Sequence, residues 1–196
     1  VDGEVTLSGN SAFSKRRNTI EGCGFVLDDI HGMTISPYPP GLPPLPIVKN
    51  SVNGETLVTF RTCTFTGAEQ GTQWCLRSKD TRFYDCDFTE VHILLDGDNA
   101  QKIVFSGFNE LTSKSPSYPL LSREGEHLIR WHLTGLSCHT STNEAKHIVL
   151  DAGENHLVMY ECIFSGGQSL FRASAFPGNA LLNENNNIFI QGARVE

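Results

Sequence analysis

Asp85 and Asp87 flank Cys86 in the run Phe83-Tyr84-Asp85-Cys86-Asp87-Phe88. In an extended strand, residues two apart share a face and stand roughly 7 Å from one another. An inverting glycosidase needs two carboxylates about 6.5–9.5 Å apart, with room for water between them. Asp85 and Asp87 are therefore the candidate catalytic pair. Arg61, Tyr84, His132, Tyr160 and Glu161 occupy related places in similar segments and form the candidate ligand-binding set. Aromatic faces stack on sugar rings, while guanidinium and carboxylate groups hydrogen-bond hydroxyls. Acidic side chains on a solvated strand are also ordinary surface.

What would hold these residues together is a repeat. The segments IEGCGF (20–25), FRTCTF (60–65), FYDCDF (83–88), IVFSGF (103–108), WHLTGL (131–136) and MYECIF (159–164) align, with ENNNIF (184–189) as a seventh. Their central residues are Cys23, Cys63, Cys86, Ser106, Thr134, Cys162 and Asn187. Two positions on stand Phe25, Phe65, Phe88, Phe108, Leu136, Phe164 and Phe189; three positions back stand Ile20, Phe60, Phe83, Ile103, Trp131, Met159 and Glu184. A second apolar patch falls in each period, as in Trp74-Cys75-Leu76, Ile93-Leu94-Leu95, Leu120-Leu121 and Ile148-Val149-Leu150. Turn residues such as those of Asp96-Gly97-Asp98-Asn99 separate these patches.

Periods of roughly 20–28 residues, each with two or three short strands, predict a stack of coils rather than a propeller or a leucine-rich horseshoe. One turn cannot bury its own apolar side chains, but stacking turns about 4.8 Å apart pairs every strand and piles like residues into columns. The fold class expected is all-β, a single-stranded right-handed parallel β-helix of about seven rungs. It forms one domain over 1–196, with rungs over about 18–191 and a proline-rich insertion at 37–47. Small Cys, Ser and Thr fit where the strands bend, so four of the six cysteines are expected as a reduced inner file; Cys138 falls outside that file. Outward residues follow by alternation, which puts Arg61, Tyr84, Asp85, Asp87, His132, Tyr160 and Glu161 on one side of the stack.

The formal net charge of −7 argues against a nucleic-acid partner, which would need a basic patch. No apolar run is long enough to span a bilayer, so membrane insertion is not expected. Neither the cysteines nor the seven histidines show metal-ligand spacing, and no metal or cofactor is expected.

The columns resemble those of the pectate-lyase-like right-handed β-helix superfamily. Asp28-Asp29 is similar to the paired aspartates of β-helix polygalacturonases, but that family's companion motifs are missing; a turn is the simpler reading. Within the superfamily the chain most resembles a phage tailspike or virion structural β-helix. The resemblance implies a virion structural or adhesin module, such as a tailspike, tail-fibre or capsid-decoration protein. Such a module would be homotrimeric or bound to other virion proteins, virion-borne or extracellular, and able to bind host surface polysaccharide. One alternative is a carbohydrate-active hydrolase, lyase or epimerase. Another is a non-catalytic scaffold or interaction repeat.

Overall fold

Each turn of the chain lays down three short strands that bend away from one another and then repeat one level higher. The structure, a computed structural model, describes residues 17–27, 47–49, 57–69, 71–76, 78–95, 100–114, 119–142, 146–150, 153–167, 169–173, 186–191 and 194–195. The strands are β1 (Arg17–Glu21), β2 (Gly24–Leu27), β3 (Ile47–Lys49), β4 (Leu57–Arg61), β5 (Thr64–Gly67), β6 (Thr72–Leu76) and β7 (Asp80–Tyr84). They continue with β8 (Asp87–Thr89), β9 (Val91–Leu95), β10 (Gln101–Ser106), β11 (Asn109–Ser113), β12 (Leu121–Arg123) and β13 (Ile129–Thr134). The last are β14 (Leu136–Thr140), β15 (Lys146–Leu150), β16 (Asn155–Tyr160), β17 (Ile163–Ser165), β18 (Ser169–Ala173), β19 (Asn186–Gln191) and β20 (Arg194–Val195).

Among the described residues every pairing is between strands three apart in sequence, and every pairing is parallel. The first sheet runs β1-β4-β7-β10-β13-β16-β19, the second β2-β5-β8-β11-β14-β17-β20 and the third β3-β6-β9-β12-β15-β18. This is an all-β parallel solenoid, a β-helix, as the repeat predicts. The proline-rich insertion lies outside the described residues except for Ile47, which opens β3. Asp28-Asp29, the turn at 96–99 and Glu184 also lie outside them.

Alternation in the first sheet follows the strand period of two: in β10, β13 and β16 every other residue is buried. Two inner files of aromatic rings result. Phe60, Phe83 and Phe105 stack with centroids 5.3 and 5.0 Å apart, and Phe25, Phe65 and Phe88 with centroids 5.1 and 4.8 Å apart. The files meet edge to face, Phe60 on Phe65 at 5.3 Å and Phe83 on Phe88 at 5.1 Å. Full burial of each ring stabilises by about 1.5–3 kcal/mol. Edge-to-face pairs add roughly 0.5–1.5 kcal/mol each.

The register corrects the sequence alignment in the fourth, fifth and seventh repeats, while Met159 and Phe164 of the sixth keep their expected columns. The second-sheet column is Phe25, Phe65, Phe88, Leu111, Cys138, Phe164 and Val195, so Cys138 belongs to it and Phe108 does not. Phe108 is 89% exposed. The first-sheet column continues through Phe105, Leu133, Met159 and Ile190, with Phe105 and Leu133 in place of Ile103 and Trp131. Ile103 and Trp131 pair in a neighbouring inner column with Thr81 and Leu157. Ser106 and Thr134 stand in register with Tyr84 and Tyr160, not with cysteines, and Asn187 with His156. Phe189 pairs with Val158, outside the expected file. Leu136, expected in the Phe column, pairs with Asn109.

The slip has two causes: β10 and β13 each offer two inward apolar residues for one motif place, Ile103 or Phe105 and Trp131 or Leu133, and the corner between β10 and β11 holds one extra residue. Ser106-Gly107-Phe108-Asn109 spans what Tyr84-Asp85-Cys86 spans one turn below, so an alignment without gaps slips. Asn109 fills the interior place of the missing cysteine: its side-chain oxygen accepts the Cys86 amide at 3.0 Å, and its Nδ2 donates to Ser106 O at 2.9 Å.

All six cysteines are free thiols. Cys63, Cys86 and Cys162 are buried at the expected bends, whereas Cys23, at the first described corner, is exposed. Burial pushes the Cys86 thiol up to about 11 and raises those of Cys138 and Cys162, so these are packing groups and not nucleophiles.

Candidate functional site

The corner joining the first and second sheets is built the same way in every described turn. One residue adopts the left-handed conformation: Gly22, Thr62, Asp85, Gly107, Gly135 and Glu161, with φ between 48° and 81°. Non-glycine residues pay about 1–2 kcal/mol for that conformation. Gly107 and Gly135 are needed for space as well. A Cβ on Gly107 would stand 2.3 Å from Asp85 Oδ1, and one on Gly135 would stand 2.7 Å from Gly107 O.

This corner separates the candidate residues. Asp85 is the left-handed residue itself, and its Oδ1 accepts the Phe108 amide at 2.9 Å. Asp87 opens β8 beyond the bend, in register with Thr64 below and Glu110 above. The two aspartates are thus not alternate residues of one strand, as the sequence expectation had them. Glu161 occupies the equivalent corner place higher in the stack.

Arg61, Tyr84, His132 and Tyr160 do share the outer face of the first sheet, as two pairs on adjacent strands: Arg61 and Tyr84 on β4 and β7, His132 and Tyr160 on β13 and β16. One outward column reads Arg61, Tyr84, Ser106, Thr134 and Tyr160; the next reads Thr59, Arg82, Val104, His132 and Val158; the third includes Asp80, Lys102, Arg130 and His156. The Arg61 guanidinium lies 4.4 Å over the Tyr84 ring, which therefore presents its edge and hydroxyl rather than that face. Arg82 donates from Nε and Nη2 to Asp80 at 3.0 and 2.9 Å, a forked pair that raises the guanidinium pKa further. Burial first, then the charges of Lys102, Arg82 and Arg130, lower the His132 pKa, with Asp80 opposing them. Tyr160 is 38% exposed, and Phe108 projects at the corner beside the same face.

The second sheet's outer face is different in kind. It carries Thr64, Thr66, Asp87, Thr89, Glu110 and Thr112, followed by Ser137 and His139. His139 Nε2 lies 3.8 Å from Glu110 Oε1.

Two buried polar clusters had no signal in the sequence. At the bend between the second and third sheets, Ser113 Oγ donates to Glu90 Oε2 at 3.0 Å and lies 3.2 Å from His92 Nε2, while His92 Nδ1 lies 3.2 Å from Pro119 O. A nucleophilic triad needs the imidazole in the middle. Here serine is in the middle, and Ser113 and His92 are each 1% exposed, so the cluster ties the bend together. Burial lowers the His92 pKa to about 4. The second cluster is Arg123, which stands in register with Leu95 and sends its donors to the carbonyls of Glu124, Gly125, His127 and Glu154 and to Asn155 Oδ1. Asn155 Oδ1 also accepts the Trp131 indole N–H at 3.2 Å. Paired positions one turn apart in an inner column gave no reason to expect either group.

No group of three or more metal-ligating side chains occurs among the described residues. Set beside known protein families, curated proteins and solved structures, the chain shows no match to any of the three. What it is shown to be is a parallel β-solenoid with a basic, tyrosine-bearing outer face on its first sheet.

Proposed function

We propose that this chain is a polysaccharide-recognising β-helix module that binds without cleaving. Its expected setting is a virion adhesin, such as a tailspike, tail-fibre or capsid-decoration protein, acting as a homotrimer outside the cell. One observation carries the reading: Arg61, Tyr84 and Tyr160 share one outward column of the first sheet and His132 stands in the next, with Phe108 held out beside that face. A flat sheet face with aromatic and hydroxyl groups at strand spacing suits an extended chain of sugars. Asp85 already holds the Phe108 amide, which makes it a positioning residue for that ring.

Binding of the intact chain to a panel of bacterial surface polysaccharides tests this. Tyr160→Ala and Phe108→Ala should each weaken binding roughly five- to tenfold without loss of fold, an effect of about 1–1.4 kcal/mol. No binding to any member of the panel would overturn the reading. Light scattering tests the assembly: a stable monomer would overturn the trimeric setting.

A second reading, a glycoside hydrolase, is favoured by Asp87 and Glu110, which stand in register on adjacent strands. Neighbouring strands are about 4.8 Å apart, near the roughly 5–5.5 Å carboxylate separation of retaining enzymes. Reducing-sugar release that disappears in both Asp87→Asn and Glu110→Gln would favour it over the binding module.

A further inference from the structure

We infer that the ligand of the first sheet's outer face is a polyanionic polysaccharide, a linear glycan bearing carboxylate or sulfate groups, seated across the oblique line Arg61, Arg82, Lys102, Arg130. This rests on the polysaccharide reading above and adds the charge of the ligand.

The register fixes the line. Arg61 pairs with Tyr84 on β7, and Arg82 stands two residues before Tyr84. Lys102 on β10 stands two residues before Val104, the partner of Arg82, and Arg130 on β13 pairs with Lys102 itself. With strands about 4.8 Å apart and alternate residues about 6.6 Å apart, successive cations are roughly 5–8 Å apart and the line spans roughly 20 Å. Among the described outward side chains of β4, β7, β10 and β13, Asp80 is the one carboxylate set against these four cations.

A chain of net charge −7 would not concentrate cations this way by composition alone. Most of its described carboxylates sit elsewhere, Asp85 and Glu161 at the corner and Asp87 and Glu110 on the second sheet; besides Asp80, the first sheet holds Glu21 of β1, in register with Arg61 at the end of the line. Gathered like charges repel one another, and a bound anion relieves that repulsion. His132 stands in the same column as Arg82, beside the line; burial first, and then the charges of Lys102, Arg82 and Arg130, lower its pKa.

Two features favour a glycan over a nucleic acid. A duplex-binding protein commonly makes 6–10 phosphate contacts, more than four cations with one already paired to Asp80 can supply. A flat sheet face also presents no helix or ribbon to enter a groove. Beside the cationic line, Tyr84, Ser106, Thr134 and Tyr160 form a column of hydroxyls suited to sugar.

The test is calorimetric titration of the full chain with heparin, polygalacturonate, neutral dextran and a duplex DNA of about 20 base pairs, at about 50 and about 200 mM salt. The acidic glycans should bind at least tenfold more tightly than dextran and weaken roughly tenfold at the higher salt. Lys102→Glu with Arg130→Glu should cost at least tenfold, while Lys114→Glu, an exposed position at the end of β11, should change affinity less than twofold. In the unaltered chain, a bound acidic glycan should move the His132 titration upward by NMR and dextran should not; no movement on binding would overturn the placement. Equal binding of dextran would overturn the charge inference and leave the polysaccharide reading standing. No glycan binding would overturn both. Tighter binding of the duplex than of either acidic glycan would overturn the choice of partner.

Discussion

The outer faces of the first and second sheets are built by the same turns of chain, in the same parallel register, and yet carry opposite charge. On the first, Arg61, Arg82, Lys102 and Arg130 cross successive strands; on the second, Asp87 and Glu110 stand side by side among threonines. Their inner faces are alike, two files of phenylalanine meeting edge to face. The contrast shows that packing dictates the inward column and leaves the outward one to other demands. It also shows why a whole-chain charge misleads in a solenoid, where each sheet presents its own sign.

The largest expected break in this contrast removes what the faces share. Phe83→Ala empties a site touching Phe60, Phe65, Phe88, Trp74 and Phe105, and should cost about 3–5 kcal/mol in denaturant unfolding. Ligand binding at the first sheet should weaken with it, although the residue touches no solvent.

Acid should separate the faces instead. The folded state holds the His92 pKa near 4, below the ordinary value of 6.5, so it favours the neutral ring. That contribution is complete above about pH 6.5 and is lost as pH falls from there toward 4, to a limit of about 3 kcal/mol. Because His92 bonds Ser113 of β11, amide protection in β9 and β11 should fall before that in β13. Loss of β13 protection first would contradict this.

Charge reversal sharpens the contrast at a smaller scale. Asp87→Lys with Glu110→Lys raises net charge as much as Lys102→Glu with Arg130→Glu lowers it. If the first face alone binds the polyanion, the former should change affinity less than threefold and the latter at least tenfold, or about 1.4 kcal/mol. Comparable shifts of opposite sign would mean that net charge, not the face, governs binding.

The smallest effect lies at the corner between the faces. Glu161→Gly removes a non-glycine residue from φ 51° and should be neutral or stabilising by up to about 1 kcal/mol, read as a melting shift of a few degrees. Marked destabilisation would show the carboxylate to be a needed partner.

The sequence made the architecture readable because stacking copies one turn's pattern onto the next. The cysteine and phenylalanine columns were visible through Cys86 and Phe88 for that reason. Legibility failed in the fourth and fifth repeats, where each strand offers two inward apolar residues for one motif place; with one residue inserted besides, Phe108 matches the motif while facing solvent. Local spacing cannot distinguish that phenylalanine from Leu111, which takes the inner place. Of the candidate residues, Arg61, Tyr84, His132 and Tyr160 were legible as sharing one outer face because strand alternation places them there. Asp85 and Asp87 were misjudged because the corner's left-handed residue, not the strand period, orients them. Arg82, Lys102 and Arg130 escaped notice because their proximity comes from pairing between turns, which no stretch of sequence displays.

Among the described residues every pairing joins one turn to the next, and no strand reaches past its immediate neighbours. Mechanical load along the axis should consequently peel the coil in small successive steps, each releasing some twenty-odd residues, and not in a single rupture. A fibre made this way would yield gradually under shear and rewind when released.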